Sequence, residues 1–82
     1  MKKPIVIDLF SGAGGFSEGF RQAGYNIVCG VDINEDCRKS YQMNFKEAKF
    51  INQDIREVPT EKILSICNLS EGDVDVIIGG PP

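Results

Sequence analysis

Eighty-two residues allow one small domain, and a chain this short buries only about 60–65% of the surface its unfolded form exposes, so a thin core is expected. With 41% hydrophobic and 26% charged residues the composition is globular, which excludes disordered and fibrous classes. A net charge of −3 and a pI near 4.8 exclude the basic surface that nucleic-acid phosphates demand, so any DNA or RNA contact belongs to segments outside these residues.

Lys2 and Lys3 precede an apolar run, but Pro4 delays it and Asp8 interrupts it. It is too short for a secretory h-region or a membrane span, and the chain reads as cytoplasmic. Ile5 to Phe10 is short, β-branched and nearly continuous, as expected of a strand buried on both faces. Phe16, Phe20 and Ala23 recur at i, i+4 and i+7, which predicts a helix over 14–23 with these residues on its apolar face, stopped by Gly24. Phe16 and Phe20 are therefore expected in the core.

A second strand is expected over Ile27 to Val31, running straight into Asp32. Asn34 is a natural N-cap, and Cys37, Tyr41 and Phe45 continue one apolar stripe of a helix over 35–45, with Glu35 and Asp36 in its first turn. Lys49 to Asn52 reads as a short third strand, with Asp54 and Ile55 in the loop that follows. Pro59 and Thr60 open a third helix that turns Ile63, Ile66 and Cys67 inward, and Val74 to Ile78 forms a fourth strand.

Strands alternating with helices predict an α/β fold, a partial doubly wound parallel sheet joined by right-handed crossovers, in the order 3-2-1-4. Its ligand site is expected outside the strands' C-terminal ends. The fourth strand would then be an open edge, through which the chain is expected to self-associate or unfold easily. Cys29, Cys37 and Cys67 are odd in number and no histidine accompanies them, so they read as reduced, apolar core residues rather than disulfides or zinc ligands.

Two glycine-bearing segments carry the chemical signal: Ile7 to Ser17, which leaves the first strand and opens a helix, and the terminal Gly79-Gly80-Pro81-Pro82. Gly12, Gly14 and Gly15 let the backbone turn sharply and approach a ligand, while the following helix offers unpaired N–H groups. The loop is not the dinucleotide fingerprint, because position 17, where its third glycine would fall, is serine. Acids at the ends of the second and third strands, Asp32 and Asp54, would face the same crevice and suit a ligand rich in hydroxyl and amino donors. The plainer readings are a helix cap or solvated residue for Asp32, a turn former for Asp54 and a core ring for Phe10. Asp8, mid-strand and buried, needs donors, and is expected to order the glycine loop through backbone N–H groups rather than touch ligand.

These residues resemble the C5-cytosine DNA methyltransferase family: Asp8-Leu9-Phe10-Ser11-Gly12-Ala13-Gly14-Gly15-Phe16, Val31-Asp32-Ile33, Asn52-Gln53-Asp54-Ile55 and Gly79-Gly80-Pro81-Pro82 look like its first four motifs in order. The resemblance implies S-adenosyl-L-methionine as cofactor and residues 1–82 as the N-terminal, cofactor-binding part of a Rossmann-like catalytic domain. It implies that Phe10 and the backbone of Ser11, Gly12, Ala13, Gly14 and Gly15 border the ligand, and that Asp32 accepts from the ribose hydroxyls. It further implies that Ile33 and Ile55 sandwich the adenine, that Asp54 accepts from its exocyclic amine, and that Pro81 completes the set. In the family the nucleophilic cysteine follows the second proline, so position 83 would carry it, and these residues alone are expected to be inactive. The DNA-reading region and the choice between DNA and RNA would also lie elsewhere. The competing expectations are a noncatalytic cofactor-binding or split-enzyme subunit, and a dinucleotide-dependent oxidoreductase.

Overall fold

The computed structural model describes residues 3–79. In chain order these form β1 (Ile5–Leu9), α1 (Gly15–Gln22), β2 (Asn26–Val31), α2 (Cys37–Asn44), β3 (Lys49–Ile51), a single 3-10 turn (Ile55–Glu57), α3 (Thr60–Ile66) and β4 (Val76–Ile78). The four strands are parallel and lie in the order β3-β2-β1-β4, as the alternation of elements predicts. Each crossover helix returns the chain to the start of the next strand, so every strand ends on the same side of the sheet. That side carries the motifs.

Both faces of the sheet are apolar, which is why the strands read as nearly unbroken hydrophobic runs. On one face Val6, Ile27 and Phe50 pack with Tyr41, Phe45 and Ala48, and half-buried Phe20 joins them from α1. On the other, Ile7, Cys29, Val31 and Ile51 pack with Val58 and with Ile63 of α3. Register slips by one residue between Val6 and Ile7, so Val6 pairs with Ile27 but Ile7 with Cys29. The bulge keeps Cys29 and Val31 on the α3 side and brings Gly30 to the side of Tyr41.

Several expectations about the elements are corrected. Phe16 is 59% exposed and Ala23 is exposed, so the inward face of α1 is not the stripe through them. Ser17 is the fully buried residue of α1, because buried Asp8 on β1 requires a donor there. One residue on a helix is about 100° of rotation, so turning Ser17 inward turns Phe16 out. Strand one ends at Leu9, since Phe10 enters left-handed backbone at φ 58°. Helix two begins at Cys37, two residues later than expected, because the Asn34 side chain accepts from Asp36 N–H and forms a separate turn first. The fourth strand begins at Val76, since Asp75 diverts its N–H and carboxylate to the carbonyl and N–H of Ile5. Ile66 is 36% exposed while Ile63 is buried, so α3 presents a narrower inward face than expected.

Gly24 stops α1 as predicted, with φ 94° and its N–H on Arg21 O. Among the described residues β4 pairs only with β1, and its central Ile77 is 65% exposed on the face where Ile7 is buried. No helix among the described residues is long and apolar enough to cross a membrane.

Candidate functional site: a glycine loop tied to an acid

The segment from Phe10 to Gly14 turns the chain from β1 into α1 with three positive-φ residues: Phe10 at 58°, Gly12 at 54° and Gly14 at 107°. Gly14 is required twice over. Its φ disfavours any side chain, and an added Cβ would lie 2.5 Å from Cε2 of Phe45. Gly12 and Gly15 differ, since a Cβ on either would meet nothing within 4 Å. Their backbone borders open space rather than the core.

Asp32 holds this loop. Its Oδ2 accepts from Gly12 N–H at 2.8 Å and its Oδ1 from Asn34 N–H at 2.8 Å. The loop is also fixed from below by Ser11 N–H donating to Val31 O at 3.0 Å. A carboxylate has about four acceptor sites, so roughly two on Asp32 remain beyond these two bonds. The sequence assigns loop ordering to Asp8, but among the described residues the carboxylate on the loop N–H is that of Asp32.

Asp8 is fully buried and its Oδ2 accepts from the Ser17 hydroxyl at 2.6 Å, while Oδ1 has no partner among the described residues. Burial pushes its carboxyl above the ordinary carboxylate range, the Ser17 hydroxyl and N–H pull it partly back, and the nearby Asp32 charge adds to the rise. Ser17 Oγ lies 3.0 Å from the Tyr41 hydroxyl, so one chain of polar contacts links β1, α1 and α2. Asp8 thus anchors the start of α1 and touches the loop only through that helix.

The third motif divides its tasks. Asn52, to which the sequence assigns no role, donates from its side-chain amide to Ile33 O at 2.9 Å and Asp32 O at 3.2 Å, and so ties the ends of β2 and β3 together. An amide two residues before an acid at a strand end is the signal that marks it. Asp54 caps the 3-10 turn, accepting from Arg56 N–H at 2.9 Å, and its carboxylate also takes the Arg56 guanidinium, with Nη2 2.6 Å from Oδ2. Those Arg56 contacts hold the Asp54 carboxyl down at about 2.

Phe10 is 43% exposed and Ile33 70% exposed, so neither is a core residue. Ile55 is half-buried against the cluster of Val58 and Ile63, an unequal partner for Ile33 in any sandwich. Pro81 lies outside the described residues. The structure thus joins Gly12, Asp32 and Asn34 in one hydrogen-bonded unit and leaves Asp54 in a separate pair with Arg56. Two open clefts, about 700 and 430 Å³, lie at the opposite, N-terminal end of the strands beside Tyr25 and contain none of the motif residues. They are separate from this site.

The three cysteines are free, Cys29 buried and Cys37 and Cys67 half-buried. Burial pushes each thiol up, Cys29 furthest, which leaves them poor nucleophiles as the core reading requires.

Residues 5–82 match the family model for C-5 cytosine-specific DNA methylase. The chain is 38% identical over 82 residues to the type II methyltransferase M.XorII of Xanthomonas oryzae, covering all of this chain and 19% of that protein. It is 41% identical over 76 residues to M1.HphI of Haemophilus parahaemolyticus, covering 93% and 20% of the two. Among solved structures, an E. coli prophage-encoded protein named as a candidate DNA modification methyltransferase superposes with a TM-score of 0.88 at 34% identity. A variant of DNMT2 from Spodoptera frugiperda superposes with a TM-score of 0.73 at 29% identity. The match covers 98% of this chain and 23% of each of those two. The chain therefore spans about a fifth of the length of the relatives it matches.

Proposed function

Because the chain belongs to the C-5 cytosine-specific DNA methylase family, we propose that it forms the cofactor-binding front of an S-adenosylmethionine-dependent DNA cytosine-5 methyltransferase of the restriction–modification kind. The observation that carries this reading is the tie between Gly12 N–H and Asp32 at 2.8 Å, which sets a glycine-lined loop and a carboxylate with free acceptor sites at one crevice. A nucleoside with two ribose hydroxyls matches those sites. The backbone of Ser11, Gly12, Ala13, Gly14 and Gly15 borders the ligand, and the exposed ring of Phe10 and side chain of Ile33 supply apolar surface for a base. Ile55 lies on the core side of that base, and Asp54 offers a carboxylate acceptor to its exocyclic amine. Pro81 completes the set as a proposal that rests on the resemblance alone.

When bound, the cofactor supplies an electrophilic methyl group on a sulfonium. The residues of this chain bind and orient it and take no part in bond-making. In the family the thiol that attacks the base follows the second proline, so these 82 residues alone are expected to show no methyl transfer. DNA is a partner of the full protein through segments outside this chain.

Titration calorimetry tests the reading. S-adenosylhomocysteine should bind the full-length protein and NAD should not; binding of NAD, or of neither, refutes it. A second reading, a noncatalytic or split-enzyme subunit, draws on the exposed Ile77 at the β4 edge. The codons after Pro82 separate the two, since cysteine there supports the methyltransferase and a stop supports the subunit.

A further inference from the structure

Asp54, unlike Asp32, has its acceptor sites already taken by a charged side chain. Oδ1 accepts from Arg56 N–H at 2.9 Å and from Arg56 Nε at 3.1 Å. Oδ2 accepts from the same Nε at 3.1 Å and from Nη2 at 2.6 Å. A carboxylate offers about four acceptor sites, and these contacts engage nearly all of them. Asp32 differs, because both of its contacts come from backbone N–H groups.

The guanidinium is not fixed in place. The Arg56 side chain is 86% exposed against 16% for Asp54, so the arginine can swing into solvent while the carboxylate stays. The Asp54 carboxylate keeps its aim when that happens, because position 56 still donates its backbone N–H. A donor arriving from the crevice must therefore replace the guanidinium, and the departing charge moves into water rather than into the core.

We propose that Arg56 is a built-in competitor for the acceptor face of Asp54, displaced when the exocyclic amine of a bound adenine nucleoside arrives. The proposal rests on the reading of Asp54 as the adenine acceptor. Arg56 lowers affinity for an adenine ligand specifically, and leaves ligands without an amine at purine C6 unaffected. Exposed ion pairs are weak, so the penalty is about two- to five-fold in Kd. It shrinks as salt screens the pair.

The test measures Kd by calorimetry for S-adenosylhomocysteine, and for its analogue with hydrogen in place of the C6 amine, in full-length wild type, Arg56→Ala and Arg56→Lys. Alanine at 56 keeps the backbone N–H, and the exposure of the side chain leaves folding intact, which circular dichroism checks. Arg56→Ala should bind S-adenosylhomocysteine about two- to five-fold more tightly, with no gain for the analogue, and the gain should fade at high salt. Arg56→Lys, with a compact charge in place of the planar fork, should fall between. Unchanged or weaker binding by Arg56→Ala, or an equal gain for both ligands, overturns the proposal. Failure of the wild type to bind S-adenosylhomocysteine overturns instead the cofactor reading on which it rests.

Discussion

Replacing Gly30 by alanine sets two well-understood effects against each other. Glycine inside a strand costs about 0.5–1 kcal/mol relative to alanine, so local preference alone makes Gly30→Ala stabilising. Packing says the opposite. A methyl group at 30 would sit 2.5 and 2.8 Å from Cζ and Cε1 of Tyr41 and 2.9 Å from the Ser11 hydroxyl oxygen, against a normal carbon separation of about 3.5–4.0 Å. The Tyr41 ring has no room to retreat: it is fully buried, with the rings of Phe45 and Phe50 at 4.7 and 5.6 Å between centroids. Any shift also stretches its 3.0 Å contact with Ser17. Overpacking costs about 1–3 kcal/mol and the hydrogen bond about 1 kcal/mol, so the net loss is about 1–3 kcal/mol after the backbone gain.

Urea denaturation followed by circular dichroism reads this directly. With a slope of about 1 kcal/mol per molar for a small chain, the midpoint should fall by about 1–3 M. Gly19→Ala is the control: position 19 lies in α1 and its Cβ would meet nothing within 4 Å. It should gain up to about 1 kcal/mol. A Gly30→Ala midpoint at or above wild type, with Gly19→Ala behaving as expected, would refute the claim that Tyr41 is wedged against the sheet.

Three further outcomes are expected. Asp32→Ala removes the acceptor of Gly12 and Asn34 N–H as well as the proposed ribose contacts; affinity for S-adenosylhomocysteine should fall at least ten-fold, since a charge-assisted hydrogen bond is worth about 1.5–3 kcal/mol. A change below two-fold in calorimetry contradicts the assignment. Asp8 has a raised folded-state pKa, so its stabilising contribution is complete below its unfolded value of about 3.9 and declines as pH rises through the folded value. Urea midpoints between pH 3 and 7 should show that decline in wild type and lose it in Asp8→Asn; parallel profiles would mean that Asp8 is not the titrating group. Asp54 titrates at about 2, so its contribution is present above its unfolded value and lost as pH falls through about 2. The carboxyl carbon resonance of Asp54 should move with that midpoint, and upward in Arg56→Ala; an unshifted midpoint in the variant removes Arg56 as the cause.

The strands were legible because β-branched, apolar runs such as Ile5–Leu9 and Asn26–Val31 have no other way to bury both faces, and the crossover rule then orders them. Asp32 was legible as a site residue from its place at a strand end, although its grip on Gly12 was not, since no local pattern tells which acid reaches a loop 20 residues away. Periodicity alone turns the wrong face of α1 inward, because it favours phenylalanine over serine. Only the tertiary demand of a buried acid on the neighbouring strand selects Ser17. The pairing of Asp54 with Arg56 and the Asn52 bridge depend on side-chain geometry within a turn, which spacing does not encode.

The hydrogen bonds that Asp32 already makes mean that its carboxylate is positioned by folding rather than by ligand. A ligand recognised by that carboxylate binds the folded chain and not the unfolded one, so it shifts the folding equilibrium by mass action, by about 2.7 kcal/mol at a hundred times its Kd. For a domain with so thin a core, that term is comparable to a large part of the whole stability of about 4–12 kcal/mol. If that ligand is the proposed cofactor, its concentration sets how much of the protein escapes proteolysis of the unfolded form. Withdrawal of the proposed methyl donor should then appear first as a fall in abundance.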